Sequence, residues 1–73
     1  MNDADYEVGD RITFVPTSHD PVEISTHRHA IVTAVHEPAD PMGWPTYEVG
    51  HAGMVRRYGP FSSDQLVRGW DVP

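Results

Sequence analysis

The chain has no cysteine, no lysine and no long apolar run, and each lack removes a class of explanation. Without thiols there is neither a disulfide framework nor a cysteine-based zinc knuckle, so the fold must stand on its own apolar core. The longest apolar stretch is a few residues, far short of the roughly 20 that a transmembrane helix needs, and none is expected. The N-terminal stretch Met1-Asn2-Asp3-Ala4-Asp5 is acidic and lacks the basic start and apolar centre of a secretory signal, so a cytoplasmic protein is the default. The basic residues are all arginine (Arg11, Arg28, Arg56, Arg57, Arg68), 5 against 11 acidic side chains, for a formal charge of −6. That charge on so small a body repels nucleic-acid phosphate, and direct DNA or RNA binding is not expected.

What is present fits one small domain: 73 residues, 38% of them hydrophobic, punctuated by 6 glycines and 7 prolines that leave no window for a long helix. Arg11-Ile12-Thr13-Phe14-Val15 alternates as a half-buried strand, launched by the turn Val8-Gly9-Asp10 and stopped by Pro16. Pro16 to Thr26, anchored only by Val22 and Ile24, reads as a long loop or irregular hairpin. His29 to His36 has β-branched residues on consecutive positions, which predicts a central strand with both faces buried. Glu37 to Pro45 holds three prolines and a glycine and reads as a second long loop. Thr46 to Val49 and Gly53 to Tyr58 are expected to pair antiparallel across the tight turn Gly50-His51-Ala52-Gly53. Ser62 and Ser63 ahead of Asp64 and Gln65 predict one serine-capped 3-10 turn, followed by a last short strand at Leu66 to Arg68. The expectation is an all-β five-stranded small barrel over 6–69, with a flexible acidic start over 1–5 and a tail over 70–73.

Tyr6-Glu7-Val8-Gly9-Asp10-Arg11-Ile12 resembles the "hydrophobic-x-Gly-Asp-x-Val" opening of many bacterial SH3-like barrels. These include KOW-type and Tudor-like modules and the barrel domain of the nitrile hydratase β subunit. Ala30 to Val35 is similar to their second strand, and Phe61 to Val67 to their closing turn and last strand. The similarity runs over about residues 6 to 69 and implies an SH3-like fold; the motifs are structural, so they imply no single activity. Tudor-type readers surround a cation with several rings, whereas Pro16 to Thr26 contains no aromatic residue. SH3 domains proper use a row of tyrosines and a tryptophan, of which Trp44, Tyr47, Tyr58 and Phe61 could supply part.

Candidate chemistry is sparse. His27-x-His29 would put two imidazoles on one strand face, with His19, Asp20, His36 or Glu37 as a third metal ligand. Two histidines at that spacing are more simply surface residues, and no cofactor or metal is expected. Ser18, Ser25, Ser62 and Ser63 lie in loop or cap contexts without the glycines of a nucleophile elbow, and a barrel this small offers no deep pocket to tune a carboxylate pair such as Asp20 and Glu23. An enzyme is therefore not expected. Phe14, Tyr47, Val49 and Phe61 are the expected filling of the interior. Trp44, between Gly43 and Pro45, is the leading contact residue, with a fold-back over one barrel end as its alternative; Trp70 either docks on the barrel or hangs in the tail.

These readings converge on a non-catalytic protein-protein interaction module. Its contact surface would be the loop pair Pro16 to Thr26 and Glu37 to Pro45, with Trp44, Met42, Tyr47 and Tyr58 as apolar anchors and Asp20, Glu23, Glu37 and Asp40 as an acidic rim. One alternative is a phage-encoded acidic mimic of nucleic-acid phosphate that occupies a basic site on a host protein. Another is an accessory subunit or barrel domain of a larger enzyme.

Overall fold

The structure is a computed structural model and describes residues 5–71. Most of the expected flexible start, residues 1–4, and the end of the expected tail, residues 72–73, lie outside the described residues. The described residues form five strands, β1 (Arg11–Phe14), β2 (His29–His36), β3 (Thr46–Gly50), β4 (Arg57–Phe61) and β5 (Leu66–Arg68). A short helix α1 (Val22–Thr26) precedes β2, and a 3-10 turn (Ser63–Gln65) leads into β5. All strand pairs are antiparallel in one sheet of order β4-β3-β2-β1-β5. Among the described residues no helix is long and apolar enough to cross a membrane.

The β1 alternation works as the sequence predicts. Ile12 and Phe14 are fully buried, opposite Ala30 of β2 and Leu66 of β5. The turn before β1 is fixed by the Asp10 carboxylate, which accepts from the Glu7 backbone N–H at 2.9 Å. Gly9 N–H and Asp10 C=O then bond Val32 of β2 at 2.8 and 3.0 Å, so the Gly-Asp turn is stitched to the sheet centre. The core adds Tyr6, Ile24, Val32, Tyr47, Val49, Tyr58 and Phe61. Phe14 and Phe61 have ring centroids 4.5 Å apart although β2 and β3 lie between their strands. In a flat sheet three strand spacings would hold them about 14 Å apart. The sheet is therefore strongly curled, with its concave face as the core.

Three expectations are corrected. β2 is central but not buried on both faces: Ala30 and Val32 point inward while Ile31 is only partly covered. A bulge between Val32 and Ala34 re-phases the alternation, so that Val35, opposite Tyr47, also packs on the core. The Pro16 to Thr26 segment is not all loop. Pro21 N-caps α1, where its missing N–H costs nothing, and the Ser25 and Thr26 hydroxyls bond back to the Pro21 and Val22 carbonyls. Five residues are too few to display a helical period, and Ile24 is the one buried residue of α1.

The β3–β4 connection is longer than a tight turn. Residues 51–56 form it, with Met54 and Val55 exposed, and β4 begins at Arg57. Gly50 pairs with Arg57 and Val49 with Tyr58, which brings the Tyr58 ring inward. A second bulge, containing Gly59 and Pro60, then returns Phe61 to face Tyr47. Gly59 has φ +122°, and a Cβ there would stand 2.8 Å from the Tyr47 carbonyl oxygen. Pro60 is tolerated because β4 is an edge strand, with no ladder partner on one side among the described residues.

Candidate interaction surface

The loop between β2 and β3 is built to hold one ring away from the core. The Asp40 carboxylate accepts from the Met42 N–H at 2.9 Å, and the Asp40 carbonyl accepts from the Gly43 N–H at 2.8 Å. Gly43 sits in a tight place: a Cβ would crowd Pro38 at 3.0 Å and the Asp40 carbonyl at 3.1 Å. Pro45 is buried immediately after this turn. Trp44, between the tight turn and the buried proline, is left 70% exposed, with Met42 beside it at 84%. The fold-back alternative for Trp44 therefore does not hold. Trp44 forms one wall of a cleft of about 380 Å³ whose other walls are Asp5, Ser62, Ser63 and Asp64. The Ser62 hydroxyl does not cap the 3-10 turn through its backbone but donates to the Asp64 carboxylate.

The two loops expected to form one surface meet different residues of the 3-10 turn region. Gln65 donates from Nε2 to Asp20 at 3.2 Å, while Ser62 to Asp64 face Trp44. Other proposed members do not join. Tyr47 is fully buried, packed edge-on against Tyr6 at 5.3 Å, with its hydroxyl accepting from the Asp5 N–H at 2.8 Å. Tyr58 is 7% exposed. Both rings are core residues and no partner can stand on them, because the β3–β4 register turns them inward.

The acidic rim is likewise only partly available. Asp20 accepts from the Thr17 N–H and hydroxyl at 2.7 and 2.8 Å and so shapes its own loop. Glu23 pairs with Arg56 of the β3–β4 connection at 2.9 Å. A backbone hydrogen bond, and then the Arg56 charge, hold its carboxyl below the ordinary value. Glu37 is exposed.

A second concavity, of about 390 Å³, is lined by Thr26, His27, Arg28 and His29. It does not bring the candidate ligands of a His27-x-His29 site together. His27 meets His51 edge-on at 6.0 Å, and its carbonyl accepts from the His51 Nε2 at 2.6 Å. His29 stacks on Trp70 at 5.8 Å, and His36 pairs with Glu48 at 2.9 Å. Among the described residues no group of three or more histidine, aspartate or glutamate side chains gathers as a metal site.

Trp70 does not hang in a tail. Its indole N–H donates to the Ala30 carbonyl at 3.0 Å and its ring takes the Arg11 guanidinium at 4.8 Å, so it covers the outer face of β1 and β2. Nearby Thr13 is 1% exposed and donates to the Gly69 carbonyl at 2.7 Å. Sequence reasoning missed Asp5 and Ser62 to Asp64 as neighbours of Trp44. No local pattern carries that adjacency, since the sheet alone brings residues 5, 44 and 62–64 together. The chain matches no protein-family model, no curated protein and no solved structure.

Proposed function

We propose that this chain is a non-catalytic protein-interaction module of SH3-like build that engages its partner at Trp44. The strand order and the 3-10 turn ahead of β5 support the build. One observation carries the function: a tryptophan held 70% exposed by a hydrogen-bonded turn, over a cleft walled by a different part of the chain. Leaving such a ring in water has no stabilising role in the free domain, whereas a partner that covers it gains on the order of 3 kcal/mol or more of hot-spot energy. Met42 adds an adaptable apolar contact beside it. The charge of −6 favours a protein partner over nucleic acid.

The test is affinity capture from the native cell with the wild type and Trp44→Ala in parallel. The wild type should retain a partner that the variant releases. Thermal melts of both chains should agree within about 0.5 kcal/mol, as for an exposed substitution. Equal recovery of the same proteins by both chains would refute the assignment.

A further inference from the structure

The partner's chemistry can be read from how this protein treats its own aromatic rings, an inference that rests on the proposed role of Trp44. Arg68 lies over Tyr6 at 4.9 Å, Arg56 over Tyr58 at 5.0 Å and Arg11 over Trp70 at 4.8 Å. In two of these pairs a carboxylate meets the same guanidinium: Asp10 on Arg68 at 3.4 Å and Glu23 on Arg56 at 2.9 Å. The fold thus repeats one small arrangement, in which a ring and a carboxylate together hold an arginine.

Trp44 has the ring and the carboxylates, while Arg11, Arg56 and Arg68 lie over other rings. Asp64 and Asp5 share its cleft, and the two serines line the same walls. The cleft volume of about 380 Å³ lies at the small end of ligand sites, which run from about 300 to 1,000 Å³. We propose that the Trp44 cleft receives an arginine from a basic segment of a partner protein, stacked on the indole and paired with Asp64 and Asp5.

Arginine is favoured over lysine on physical grounds. A planar, weakly hydrated guanidinium can stack on the indole with its face while its edge donates to a carboxylate. An ammonium is a strongly hydrated point charge that cannot do both at once. The charge of −6 attracts such a segment at long range, and the cleft then selects among cations at contact.

The experiment is an NMR titration of the full wild-type chain with two short glycine-serine peptides, one bearing two arginines and the other two lysines at the same positions. The Trp44 and Trp70 indole N–H signals report separately. The expected result is a fast-exchange shift of the Trp44 indole and of the Ser62 to Asp64 amides with the arginine peptide, while the Trp70 indole stays put. Asp64→Asn should weaken that binding about two- to fivefold, as loss of an exposed charge contact does. The lysine peptide should bind weaker by a similar factor.

Equal binding of both peptides, abolished together by high salt, would overturn the arginine assignment in favour of plain charge attraction. Shifts confined to Trp70 and His29 would place the cation at the wrong ring and also overturn it. If neither peptide moves Trp44 while Trp44→Ala still loses its captured partner, the inference fails and the interaction reading survives. If neither peptide binds and capture is also unaffected by Trp44→Ala, both fail together.

Discussion

Replacing Ile24 with alanine removes the side chain by which α1 is held to the core, since Ile24 is fully buried and is the one buried residue of that helix. Truncating a buried isoleucine costs about 2–5 kcal/mol, the spread reflecting how far the site can collapse. A five-residue helix with exposed flanks can settle inward, so the lower half of that range applies, about 3 kcal/mol. At about 0.05–0.15 kcal/mol per residue, 73 residues give a total stability of only about 4–11 kcal/mol. The loss would therefore remove a large share of it and lower Tm by roughly 12–24 °C, at about 4–8 °C per kcal/mol. Val22→Ala, two residues away and 73% exposed, is the control and should change stability by less than about 0.5 kcal/mol. Thermal and urea unfolding followed by far-ultraviolet dichroism measure both. Equal stability of the two variants would refute the claim that α1 is pinned through Ile24.

Three further outcomes follow from single contacts. Gly59→Ala should destabilise by about 2 kcal/mol or more in urea unfolding, because the position combines φ +122° with a Cβ 2.8 Å from the Tyr47 carbonyl oxygen. Tyr6→Phe removes the hydrogen bond to the Leu66 carbonyl, at 3.1 Å, and should cost about 1 kcal/mol near neutral pH. Burial, opposed by Arg68 and reinforced by Asp5, raises the Tyr6 hydroxyl above its ordinary 10.0. Its contribution is therefore fully present below pH 10.0 and is lost as pH rises through the folded value, so the Tm curves of wild type and Tyr6→Phe should converge in alkali. Glu23 behaves oppositely. Its lowered carboxyl adds stability above the ordinary 4.5 and loses it as pH falls through the folded value, so Glu23→Gln should trail the wild type at neutral pH and meet it on acidification. A gap between those two curves that persists in acid would contradict the Arg56 pairing.

Legibility in the sequence tracked how local each determinant was. Ile12 and Phe14, Tyr47 and Val49, and the 3-10 turn at Ser63–Gln65 could be read because period-two alternation and turn chemistry act over a few residues. β4 was misplaced because Met54 and Val55 imitate a strand in an exposed connection, while Pro60, a usual strand breaker, sits inside an edge strand. α1 was missed because Pro21 reads equally as a turn residue and as a helix start. At the site, the exposure of Trp44 was inferable from its Gly43 and Pro45 flanks, and its alternative fold-back was excluded only by the buried Pro45 and the Asp40 turn. The burial of Tyr58, and the meeting of Trp44 with Asp5 and Asp64, depend on strand register and curl, which are long-range properties.

The account turns on the opposite placement of two tryptophans, and acrylamide quenching of single-tryptophan variants tests it most directly. Trp70→Phe leaves only Trp44, 70% exposed, and should show red-shifted emission with strong quenching. Trp44→Phe leaves only Trp70, stacked on His29 and bonded to the Ala30 carbonyl, and should emit further to the blue and quench weakly. A shielded Trp44, quenching no faster than Trp70, would contradict the account.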